Sequence, residues 1–175
     1  MDARKLPRNL DQVNYVKRTL RNADVYDDIY EVSCFSDDYP EIVPGIGYKP
    51  DFYVIQLHPE MNNHVISLLR NFKYIVMNLD TTYDVGSFFT TILSVWNPLF
   101  KGQPVMPVAV MFHENTKGRS HHRFLEIVAE KLSVNNKKVI ICTDREQSIR
   151  SAISQHLKQA NNVLCWNHLR QVSTY

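Results

Sequence analysis

Residues 137–153 read KKVIICTDREQSIRSAI, and they set the architecture. Val139, Ile140, Ile141 and Cys142 form a short, nearly continuous apolar run, the composition of a strand buried on both faces. Asp144 follows at once, and beyond it Ile149, Ala152, Ile153 and Leu157 recur at helical spacing. Upstream, SHHRFLEIVAEKL (120–132) places His121, Phe124, Leu125, Val128 and Leu132 on one helix face. A strand reached through a helix is ordinarily parallel to a neighbouring strand, so this stretch predicts a mixed sheet. NNVLCW (161–166) then reads as a further strand reached the same way.

Before that helix the pattern is antiparallel. KYIVMNLDTTYD (73–84) reads as a central strand, and SFFTTILSVW (87–96) pairs with it as a hairpin across the turn signal DVGS. VMPVAVMFHE (105–114) is a third strand, and Pro107, which cannot donate to a ladder, predicts that it lies at a sheet edge. The order is βββαβαβ. With the first strand central, strands two and three on one side and four and five on the other, the strand order is 3-2-1-4-5. That is an α/β, ribonuclease-H-like mixed sheet with helices packed on it.

The segment before this core reads differently. Leu10, Val13, Val16 and Leu20 predict a short amphipathic helix, basic and carrying Tyr15. DDYPEIVPGIGYKP (37–50) reads as a linker or irregular arm, and HPEMNNHVISLLRNF (58–72) as a helix with Val65, Leu68, Leu69 and Phe72 on one side. The expected division is an N-terminal helical and linker segment, 1–70, and a core, 71–175. Residues 1–22 carry six Lys or Arg against two Asp, while 23–51 carry eight acids against one Lys. The basic segment suits nucleic-acid phosphates and equally a solvated helix face.

Composition excludes several classes. At 175 residues and 44% hydrophobic content the chain folds around a real core. There is no apolar run of about 18 residues, so no membrane span is expected. MDARKLPRNLDQ has no apolar stretch of a secretion signal. Three cysteines, Cys34, Cys142 and Cys165, are too scattered for a disulfide framework, and a reducing compartment is expected.

In the expected sheet the first and fourth strands are parallel neighbours, which brings Asp80 and Asp144 to the same end. Two carboxylates so placed repel when ionised, and a divalent cation relieves the repulsion. Mg²⁺ favours one or two protein carboxylates plus substrate phosphates, and two such ions can cleave a phosphodiester. The plainer alternatives stay open. Asp144 can cap the following helix, with Gln147 three residues on or through a Thr143–Glu146 capping box, and Asp80 can be a frayed strand end.

Three ordered blocks, NLDTTYDVGSFFTTIL, TDREQSIRSAI and LCWNHL, resemble the core of Mutator-like (MULE-type) transposases and their domesticated relatives, over roughly residues 70–172. The resemblance implies a DDE-type transposase core that cuts and joins DNA with Mg²⁺ or Mn²⁺, with Asp80 and Asp144 as its first two catalytic, metal-binding carboxylates. It also implies nuclear localisation, transposon ends and target DNA as partners, and self-association. Cys165 and His168 match the family's Cys-x-x-His pair and are candidate metal ligands; Cys165 packed in the core and His168 hydrogen-bonded is the structural alternative.

The family's third acid, usually Glu, follows that pair. Here no Asp or Glu occurs between Glu146 and Tyr175. Glu126 and Glu130 read as the solvated face of their helix. The expectation is therefore a fragment of a transposase core, its two-metal site complete only in a longer parent. The alternative is a catalytically inactive, domesticated module that binds nucleic acid or protein.

Overall fold

The computed structural model describes residues 25–85, 88–102, 104–115, 118–132 and 139–165. The helix expected at Leu10–Leu20, with Tyr15, lies outside them. The chain forms two compact units, residues 1–38 and 39–175. Among the described residues the first holds an acidic helix, α1 (Val25–Asp38).

The second unit is α/β. Its strands are β1 (Gly45–Gly47), β2 (Tyr53–Gln56), β3 (Ile75–Val85), β4 (Phe88–Trp96), β5 (Val105–His113), β6 (Val139–Thr143) and β7 (Asn161–Leu164). Its helices are α2 (Pro59–Asn71), α3 (Gly118–Leu132) and α4 (Gln147–His156). All seven strands join one sheet in the order β1-β2-β5-β4-β3-β6-β7. β3 and β4 form the expected antiparallel hairpin, and β6 lies parallel to both β3 and β7.

Two sequence expectations fail here for identifiable reasons. The stretch read as linker supplies β1, and β2 follows it. Gly45–Gly47 pairs antiparallel with Tyr53–Ile55, and β2 pairs antiparallel with β5. Strands this short cannot show an alternating pattern, so Pro and Gly dominated the reading. Because β2 is there, β5 is not the sheet edge. Pro107 is tolerated all the same, because β2 reaches only Val110–His113 and leaves the Pro107 end of β5 unpaired on that side. On the other side the β4 ladder shifts register there, with Leu93 opposite Ala109 and Ser94 opposite Pro107. A proline sits where the ladder is already interrupted.

Period-two alternation decides what each face does. Ile75, Met77 and Leu79 of β3, Leu93 and Val95 of β4, Ala109 and Met111 of β5, and Val139 and Ile141 of β6 are buried. They join Val65 and Leu68 of α2, Phe124, Leu125 and Val128 of α3, and Ile149, Ala152 and Ile153 of α4 in one apolar cluster. The intervening β3 residues Val76, Asn78 and Asp80 are half-buried or exposed, as are Ile140 and Cys142 of β6. The sheet therefore has one closely packed face and one more open face.

Leu79 is 1% exposed on a central strand, so Leu79→Ala is expected to cost about 2–5 kcal/mol through lost burial and a residual cavity. Tyr74, half exposed just before the strand, should tolerate Ala within about 0.5 kcal/mol. Urea unfolding of both variants checks the contrast.

Candidate functional site

The parallel register of β3 and β6 places the two aspartates. Leu79 pairs with Thr143, the last residue of β6, so Asp80 and Asp144 occupy the next positions along neighbouring strands. Such strands run about 4.8 Å apart. Leu79 and Thr143 are both buried on the packed face; alternation within β3 turns Asp80 toward the other, open face, while Asp144 follows the end of β6. Asp80 is exposed and Asp144 half-buried.

Among the described residues each carboxylate has a local backbone partner. Asp80 Oδ1 accepts the Thr81 N–H at 3.0 Å, and Asp144 Oδ1 accepts the Glu146 N–H at 2.8 Å. The second contact shapes the turn into α4, although Asp144 is not its cap. Glu146 is the cap residue, without a side-chain capping bond, and Thr143 Oγ1 is buried with no hydrogen-bond partner, so no capping box forms. An ionised carboxylate has about four acceptor sites, so one backbone bond leaves capacity for a cation.

Two thiols flank this end of the sheet. Burial pushes the Cys142 thiol up, and the Cys165 thiol it hydrogen-bonds with and the Asp80 charge add to this. The Cys165 N–H donates to the Thr143 carbonyl at 2.7 Å, continuing the β7 pairing. Cys165 therefore lies beside the aspartates' end of the sheet. His168 lies outside the described residues. Among the described residues, no three His, Cys, Asp or Glu side chains gather as a metal ligand set. Glu126 and Glu130 are exposed on α3, and Glu126 pairs with Arg123 at 2.6 Å.

Behind the aspartates, on the packed face, lies a buried polar chain that sequence spacing did not reveal. His113, His121 and Thr91 are each 0% exposed. His113 Nδ1 donates to the Asn115 carbonyl at 2.6 Å, so its Nε2 accepts from the Thr91 hydroxyl at 2.9 Å. The Thr81 hydroxyl then donates to Thr91 Oγ1 at 2.9 Å. At the far end Ser148 donates to the Glu146 carboxylate, leaving Ser148 Oγ to accept from His121 Nδ1 at 2.9 Å. His121 Nε2, without a proton, faces Thr81 and Thr91 at 3.3 and 3.4 Å. With both imidazoles neutral, every proton in this chain has an acceptor. The only sequence signal was His121 on the apolar face of its helix.

Burial, reinforced by neighbouring His113, holds His121 down at about 4, and Asp144 opposes this only in part. Burial also lowers His113. The unfolded chain takes up protons on these rings below about 6.5, whereas His121 in the folded chain resists until about pH 4. Stability is therefore full above pH 6.5 and is lost as the pH falls toward 4. A drop from 6.5 to about 4 at His121 corresponds to roughly 3 kcal/mol. Urea unfolding from pH 7.5 to 4 should show this decline, with a shallower slope for His121→Gln.

With this geometry described, two comparisons bear on the chain. The family model of the MULE transposase domain matches residues 76–172, more than half of the chain, from β3 to beyond β7. No curated protein matches the chain.

Proposed function

The chain belongs to the MULE transposase domain family, and from that premise we propose that residues 71–175 form a ribonuclease-H-like DDE transposase core. In the proposal Asp80 and Asp144 are its first two metal-binding carboxylates, and the protein acts in the nucleus on transposon ends and target DNA. A transposase domain implies interaction with nucleic acid in general. What supports the finer reading is the parallel β3–β6 pairing, which sets the two aspartates side by side beyond Leu79 and Thr143.

The donor set fits a hard divalent cation. Two carboxylates at adjacent positions in register, one exposed and one half-buried and each keeping acceptor capacity, match the preference of Mg²⁺ or Mn²⁺ for one or two protein oxygens plus substrate phosphates. Once bound, such ions supply water activation and charge neutralisation at a phosphodiester. The protein's own part is to hold the two carboxylates in place. Backbone N–H groups fix one oxygen of each, and the neutral histidine chain beneath is tied to the Asp144 turn through Ser148 and Glu146.

One observation favours a second reading, a binding module without catalysis. Glu146 is the last acidic residue in the sequence, and its carboxylate is taken up by Ser148, with His121 Nδ1 at 3.8 Å. It is thereby engaged with the buried histidine chain.

Mn²⁺ titration followed by the loss of its free-ion spectrum separates the two readings. The transposase-core reading expects saturable binding that weakens about tenfold or more in Asp80→Asn and in Asp144→Asn, a loss of at least about 1.4 kcal/mol. Absence of saturable binding in the wild-type chain leaves the binding module.

A further inference from the structure

His122 and His156 are distant in sequence, and neither takes part in the aspartate site or in the buried histidine chain. The helix brings them together. Consecutive residues on α3 point about 100° apart, so while His121 goes into the core, its neighbour His122 turns to the side where α4 packs. There His122 Nδ1 lies 3.3 Å from His156 Nε2, with the rings edge to face at 71° and centroids 5.4 Å apart. The other nitrogen of His122 is held by Ser151 Oγ at 3.3 Å. Both rings are half-buried.

We infer that His122 and His156 form an interhelical site for a transition-metal ion of the zinc class, bridging α3 and α4. Three observations carry this. First, two imidazole nitrogens, each about 2.0–2.1 Å from a tetrahedral ion, sit about 3.3–3.4 Å apart, which is the separation found here. Second, Ser151 fixes the orientation of the His122 ring from its far nitrogen, the outer-shell arrangement that metal-bound histidines require. Third, Glu126 lies four residues after His122, on the same side of α3. It supplies a carboxylate beside the site, at present paired with Arg123.

Without metal, one proton is shared between the two facing nitrogens, because one must donate and the other accept. Binding requires both lone pairs, so that proton moves to the far nitrogen of its own ring, and each imidazole stays neutral. Two imidazole nitrogens, completed by water, suit Zn²⁺, Ni²⁺ or Cu²⁺ and not Mg²⁺. The site is therefore chemically distinct from the aspartate pair.

Calorimetric titration of the full chain with ZnCl₂, in excess Mg²⁺ and at pH 7.5, tests it. One equivalent should bind, with affinity falling about tenfold or more in both His122→Gln and His156→Gln and unchanged in Tyr74→Ala. No binding by the wild type overturns the proposal. So does binding that persists in either histidine variant, or that is lost instead in Cys142→Ser. Should the glutamine variants not fold, imidazole nitrogen resonances of the wild type decide. Zinc-induced shifts at His122 Nδ1 and His156 Nε2 support the site, and unmoved signals refute it.

Discussion

The pairing of β3 with β6 is the constraint on which the rest of the molecule depends. Its register, from Ile75 with Val139 to Leu79 with Thr143, ties together segments that lie far apart in the sequence. A parallel pair cannot be closed by a tight turn, so the chain must cross over through a helix, and α3 is that helix. Its apolar face, Phe124, Leu125 and Val128, then has a place to go against the buried face of the sheet. The same register fixes the positions after Leu79 and Thr143, where both residues are aspartates. Slippage by one residue would turn one of them toward the apolar cluster.

Polar groups on the packed face follow from the same geometry. At the sheet end that carries the aspartates, the core is not purely apolar. Thr81, Thr91, His113, His121, Ser148 and Glu146 replace hydrocarbon there with a hydrogen-bonded chain. A buried chain of this kind is tolerable only when each donor finds an acceptor, since an unmade bond costs more than a made one gains. Neutral histidines meet that condition. The chain also connects α3, through His121, to the turn that carries Asp144. The stability of the core and the placement of a candidate ligand are thereby coupled.

Much of this was legible in the residues. The apolar runs at 73–84, 87–96 and 139–143 gave strands, and the spacing of Phe124, Leu125, Val128 and Leu132 gave α3, because long elements buried on one face leave a period in the sequence. What was not legible has physical reasons. β1 and β2 are too short to show alternation, and they lie among prolines and glycines that favour a loop reading. Pro107 ruled out a ladder bond but not an inner position, because the neighbouring strand stops short of it. The pairs Thr91–His113 and His122–His156 come from different elements, and only the fold sets their distances. Asp80 and Asp144 stood out because an acid within an apolar strand, or directly after one, is unusual.

The central claim is that two aspartates from parallel neighbouring strands share one divalent ion. Paramagnetic broadening of backbone amide signals by substoichiometric Mn²⁺ tests it most directly. If the account holds, the signals of Leu79, Asp80 and Thr81 fade together with those of Thr143, Asp144 and Arg145. Broadening on one strand alone, or centred on another part of the chain, would contradict it.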